Sequence, residues 1–193
     1  MGIKEQPSLI HWNYFLALEQ DLERLSRYVE FTADNFGTYS IEIVQIYLSA
    51  CSEVDVVSKL LAKRIDENVS PNNIGEYREI IRPVIPSLCT DVVSLSRNSL
   101  ELNPWDSWGK DESPFWWRHH NDVKHERNAH FDKANLKNVL NAVAGLFVLV
   151  LYYYKGQENC ERLEPIPSLF NPPANLAKVC PTIGGRMCVF YGT

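Results

Sequence analysis

Between Phe115 and Leu136 the chain reads FWWRHHNDVKHERNAHFDKANL, a run with adjacent tryptophans, four histidines and two arginines. On a single helix, residues three, four and seven apart share a face. Arg118, Asn121, His125 and Asn128 then form one stripe, with Trp117 and Lys124 alongside. A guanidinium can clasp a phosphate, and an imidazole titrating near neutrality can move a proton. The stripe therefore holds the groups needed for acid–base chemistry at a phosphate ester. The same side chains can instead tie down loop carbonyls, because buried polar groups must be paired.

Other chemistries find less support. His120, His125 and His130 are five apart, which turns about 140° per step and does not converge on a helix. The H-E-x-x-H spacing is missing, so neither a metal nor another cofactor is expected. The phosphate-cradling and nucleophile-elbow glycine motifs are also missing, and Gly184-Gly185 is too isolated to replace them. The pairs Trp105/Trp108 and Trp116/Trp117 can stack bases or line a nucleotide pocket, although core packing is the commoner use of tryptophan. Asp55 and Lys59, at i,i+4, read as a solvated ion pair, whereas Glu53 sits among Ala50, Val54 and Val57.

The elements that must position these groups are mostly helices. Apolar residues from Trp12 to Val29 recur at helical spacing and predict a helix from Ser8 to about Phe31. Glu19, Asp21, Glu23, Arg24 and Arg27 are assigned to its other face. Ser40 can cap a second long helix reaching about Asp66. A short helix is expected over Ile74–Ile81, before Pro83 and Pro86. The alternation over Asp91–Leu102, with Arg97-Asn98-Ser99 as the turn, suggests a small hairpin or irregular excursion. Ser113-Pro114 then starts the helix bearing the Trp/His/Arg segment, which should reach about Asn128. A last helix is expected from Asn135 to Tyr154. From Gly156 the Pro-rich remainder should wrap the bundle as an extended arm, with a strand near Met187–Tyr191. The expectation is a single mainly α domain over 1–193, with a bundle of four to five helices over 8–155, a small β or irregular excursion, and a C-terminal arm over 156–193.

Composition sets outer limits. The 193 residues are 45% hydrophobic and 22% charged, ordinary for a globular chain with a sizeable core. A net charge of −5 argues against a sequence-independent nucleic-acid binder, which normally carries a basic face. The five cysteines are scattered without a C-x-x-C pair, a usage that fits reduced thiols and a cytoplasmic location. The N-terminal residues show neither an apolar signal core nor the Ser/Thr of a myristoylation motif. The apolar run Val139–Tyr154 is shorter than the roughly 20 residues of a membrane span and reads as a buried central helix.

Two long N-terminal helices, an acid within the second, a later helix with Arg and His, and a closing apolar helix resemble the HEPN superfamily. Its members are helical bundles; many are metal-independent ribonucleases in toxin–antitoxin, phage-defence and RNA-processing systems, and others are inactive interaction modules. The family motif of Arg, a polar residue, a variable stretch and His is similar to Arg118-His119-His120-Asn121-Asp122-Val123-Lys124-His125. The resemblance implies that Arg118 holds the phosphate, His125 acts in acid–base cleavage and Glu53 orients the site. It also implies RNA as a partner, a homodimer with a composite cleft, and an antitoxin or other protein partner. The same segment resembles a W-x-x-x-N-x-V-K-H-x-R signature of bacterial proteins of this general type, centred on Asn121, Lys124, His125 and Arg127 beside Trp117. The competing implication is a non-catalytic helical interaction module in which this stripe is structural.

Overall fold

A computed structural model of the chain describes residues 9–157, 160, 162–181 and 187–191. Ser8 and the Gly184-Gly185 pair lie outside the described residues. The protein is mainly helical, and its architecture follows from one helix, α7 (Leu136–Tyr154), in which every residue except Lys137 and Tyr153 is buried. A helix that is apolar all round needs neighbours on every side. By length and composition α7 could cross a bilayer, yet 89% of its most apolar window is buried inside this protein.

The long helix α2 (Ile41–Ile65) packs most extensively against α7. Its start is set by Ser40, whose hydroxyl accepts the Ile43 N–H at 3.2 Å, satisfying one orphan donor of the first turn. Asn135 caps α7 in the same way through the Asn138 N–H at 3.1 Å. The helix α1 (Ile10–Leu25) lays Trp12, Phe15 and Leu22 on the core, with Phe15 stacked on Phe147 of α7 at 4.6 Å. It ends earlier than the predicted Phe31, and Tyr28, which helical spacing places with the apolar residues, is 84% exposed. The short helix α3 (Ile74–Val84) is capped by Asn73 and tolerates Pro83 in its last turn.

The hairpin is present as β1 (Val93–Leu95) and β2 (Leu100–Leu102), turned by Ser99 at φ 53. The C-terminal region is more ordered than an extended arm. In it β3 (Arg162–Leu163), β4 (Ala177–Pro181) and β5 (Met187–Tyr191) form an antiparallel sheet in the order β3-β5-β4. The strand expected at Met187–Tyr191 thus lies at the centre of a sheet whose other two strands were not anticipated.

This region is anchored by a carboxylate that the sequence reading placed on the solvent face. Glu19 lies three, four and seven residues from Leu16, Phe15 and Trp12, hence on the buried face of α1, and it is 2% exposed. Its oxygens accept the backbone N–H groups of Ser168 (2.8 Å), Leu169 (2.8 Å) and Phe170 (3.0 Å). Burial raises the Glu19 carboxyl above its ordinary range, and these three donors pull against that shift. The same segment carries Phe170 into the Phe15/Phe147 cluster. Glu19→Gln puts an amide NH2 against backbone donors while leaving them buried, which should cost about 1–3 kcal/mol. Denaturant unfolding of the two proteins measures it; equal midpoints would show that the carboxylate does not hold this segment.

Candidate functional site

The Trp/His/Arg segment is not one helix. It is broken into α4 (Phe115–Arg118), α5 (His120–His125) and α6 (Arg127–His130). The first helix begins at Phe115, preceded by Pro114, and Ser113 provides no side-chain cap. The cause of the first break is tertiary. In a continuous helix the Trp116 carbonyl would serve the His120 N–H, but here it accepts the hydroxyl of Tyr47 from α2. The second break has a different origin. From Lys124 to Ala129 every residue is exposed, so no apolar face pins a continuing helix. The predicted stripe Arg118–Asn121–His125–Asn128 therefore does not exist as one helical face.

What holds α4 and α5 in place is a tryptophan cluster seated on α7. Trp105, Trp108 and Trp116 are all fully buried. Trp105 donates its indole N–H to the Gly145 carbonyl at 3.1 Å, and Trp116 donates to the Pro104 carbonyl at 2.8 Å. The Trp105 ring lies edge-on to Trp116 at 5.3 Å. Trp116 fills the notch left by Gly145, where an added Cβ would stand 2.9 Å from Trp116 Cζ2. These tryptophans are core, as their residue type favoured. Trp117, the fifth in the chain, is only partly buried and faces a cleft.

That cleft, of about 690 Å³, lies between α2, the start of α3 and the α4–α5 segment. Leu48, Ser52 and Asp55 line it from α2, Asn72 to Ile74 from the α3 end, and Trp117, Arg118, His120, Asn121 and Lys124 from α4–α5. Among the residues predicted for a site, Arg118, Asn121, Lys124 and Trp117 are thus brought together. His125, Arg127 and Asn128 are exposed and do not line the cleft. Neither does Glu53, which is bonded to His11 Nδ1 at 2.6 Å with each side chain 12% exposed. Glu53 therefore does not stand beside Arg118 as the resemblance implied.

Asp55 and His120 also line the cleft, the first expected only as a solvated ion pair and the second considered only for metal binding. Asp55 does pair with Lys59 at 2.5 Å, but its other oxygen accepts the Tyr77 hydroxyl at 2.7 Å. Burial and the carboxylate beside it hold that phenol protonated beyond its ordinary range. The signal was available, since Leu48, Ser52, Asp55 and Lys59 follow helical spacing on one face of α2. His120 rests against Trp117 with ring centroids 5.1 Å apart. Its Nδ1 is buried without a hydrogen-bond partner. Burial, helped by Lys124, lowers its pKa below the ordinary 6.5, which favours the neutral ring.

Arg118 is partly engaged: it donates to the Ser113 carbonyl at 3.2 Å and to Glu112 at 2.6 Å, an exposed pair worth little. Among the described residues, Asn121, Lys124 and Arg127 make no side-chain hydrogen bond, and no residue of the stripe is hydrogen-bonded to the C-terminal region. Nor, among the described residues, do three or more His, Cys, Asp or Glu side chains gather as a metal-binding group. Comparison with known proteins gives no match to a family model, a curated protein or a solved structure.

The seat on α7 is open to test. Gly145→Val forces the Trp116 ring out of its notch, and overpacking of this kind costs about 1–3 kcal/mol. Thermal melting should show that loss together with a changed near-UV tryptophan signal. An unaltered melt and spectrum would mean that the ring is not seated on Gly145.

Proposed function

We propose that this HEPN-like helical protein binds RNA phosphates in the α2/α3/α5 cleft and cleaves the chain without a metal ion. The observation supporting the reading is the grouping of Arg118, His120, Asn121 and Lys124 along one wall of a cleft in an otherwise acidic molecule. Neutral His120 accepts the proton of a ribose 2′-hydroxyl, whose oxygen attacks the adjacent phosphorus. The 5′-oxygen leaves and takes a proton from solvent, and a 2′,3′-cyclic phosphate remains. Lys124 and Arg118 offset charge on the phosphorane, the role that fixed cations fill best. The base is therefore His120, with His125 and Glu53 outside the reacting group. A place in bacterial defence, a homodimeric state and a protein antitoxin follow from the same HEPN-like reading.

A second reading, a non-catalytic interaction module, has its own support. Arg118 is already paired with Glu112, and Glu53 is closed off by His11, so the Arg, His and acid of the family pattern are not assembled.

Incubation with mixed RNA in EDTA separates the two. Wild-type protein should cleave, and His120→Ala should lose about 100-fold or more without a change in melting temperature. Lys124→Ala should also be impaired, while His125→Ala stays near wild type. Because the His120 pKa is lowered, the neutral base persists as pH falls through 6.5, and the rate should drop only at lower pH. Intact RNA with wild-type protein, or equal cleavage by His120→Ala, would leave the interaction module.

A further inference from the structure

The phosphate reading leaves one cleft residue unexplained. A carboxylate repels phosphate, yet Asp55 lines the same cleft as Arg118 and Lys124. Because it is already paired with Lys59 and Tyr77, its remaining acceptor positions suit a part of the ligand that donates hydrogen bonds. We propose that the cleft is a guanine-nucleotide subsite: Trp117 stacks on the base, Asp55 accepts its N1–H and 2-amino group, and Arg118 with Lys124 takes the phosphate. The inference rests on the reading of the cleft as a phosphate-binding site and names the base that accompanies the phosphate.

Three observations carry it. The Asp55 carboxylate is held in place, with one oxygen accepting the Tyr77 hydroxyl at 2.7 Å and the other the Lys59 ammonium at 2.5 Å. A carboxylate has about four acceptor positions, so each oxygen keeps one for a ligand. Two adjacent acceptors match two donors on neighbouring atoms, and among the four RNA bases only guanine offers that pair on its Watson–Crick edge. Adenine and cytosine each present one amino group there, and the single N–H of uracil is flanked by carbonyls.

Trp117 supplies the second observation. Trp12, Trp105, Trp108 and Trp116 are fully buried, whereas Trp117 is only partly buried and borders the cleft. An indole left at the edge of such a space is a stacking surface for a base. The third is size: about 690 Å³ falls within the roughly 300–1,000 Å³ of small-molecule sites and suits one nucleotide.

Calorimetric titration with GMP, IMP, AMP, CMP and UMP tests the assignment. GMP should bind at least about tenfold more tightly than AMP, CMP or UMP. IMP, which lacks the 2-amino group, should fall between. Asp55→Asn should abolish the preference, and Trp117→Leu should weaken all five nucleotides. Equal affinities, no binding, or GMP preference unchanged in Asp55→Asn would overturn the proposal. The IMP comparison needs no variant, so it decides even if Asp55→Asn fails to fold. Digestion of guanine-bearing and guanine-free oligonucleotides separates this claim from the nuclease reading. Selective GMP binding with both oligonucleotides intact refutes cleavage alone, and cleavage of both at equal rates refutes the guanine site alone.

Discussion

A helix without a polar face must be enclosed, and the rest of this molecule is arranged to enclose α7. Its length and apolarity leave no side for water. The aromatic cluster of α1, the long face of α2 and the tryptophan loop each cover part of it. Gly145 makes one of these contacts a close one, because a Cβ there would stand 2.9 Å from Trp116 Cζ2. That approach, backed by the indole bonds to the Gly145 and Pro104 carbonyls, fixes where α4 begins. The Tyr47 hydroxyl then takes the Trp116 carbonyl and ends α4 after one turn. The cleft is the space left beside that interrupted turn.

Charge is distributed around this core in two ways. Where a carboxylate is buried both of its oxygens are bonded: Glu19 to three backbone N–H groups, and Asp91 to Tyr152 and Asn175. These contacts join segments far apart in sequence and help to hold the Pro-rich C-terminal region against the helices. The cleft groups differ. Asn121 and Lys124 are exposed and make no side-chain hydrogen bond among the described residues, where His120 also keeps a buried ring nitrogen without a partner. Unused hydrogen-bonding capacity concentrated on one wall is the property expected of a surface that meets a ligand.

Much of the scaffold can be read from local pattern. Ser40 and Asn135 mark the starts of α2 and α7 because capping is a contact between near neighbours, and α2 has a long apolar face while α7 is apolar almost throughout. The hairpin was visible for the same reason. The candidate site was harder. Local propensity favours one helix over 115–128, and nothing in that window reveals that Tyr47, far earlier in the chain, claims the Trp116 carbonyl. Glu53 was expected as a site acid from the resemblance, and its partner His11 lies on another helix, out of reach of local spacing. Glu19 read as solvated although its spacing from Trp12 and Phe15 placed it inward, an error of periodicity and not of missing information. The three-stranded sheet was invisible because β3 has two residues and pairs with a strand far along the chain. Arg118, Asn121, Lys124 and Trp117 still line one cleft because short-range spacing survives the helix breaks.

The central claim is that ligand meets the protein at the cleft beside the interrupted helix, not at the His11–Glu53 pair. The most direct measurement is amide chemical-shift mapping during titration with a short single-stranded RNA. The account predicts perturbed signals at 117–124, 52–55 and 72–74, with the amides around His11 and Glu53 unmoved. Shifts centred on His11, or on the β3-β5-β4 sheet, or no shifts at saturating RNA, would contradict it.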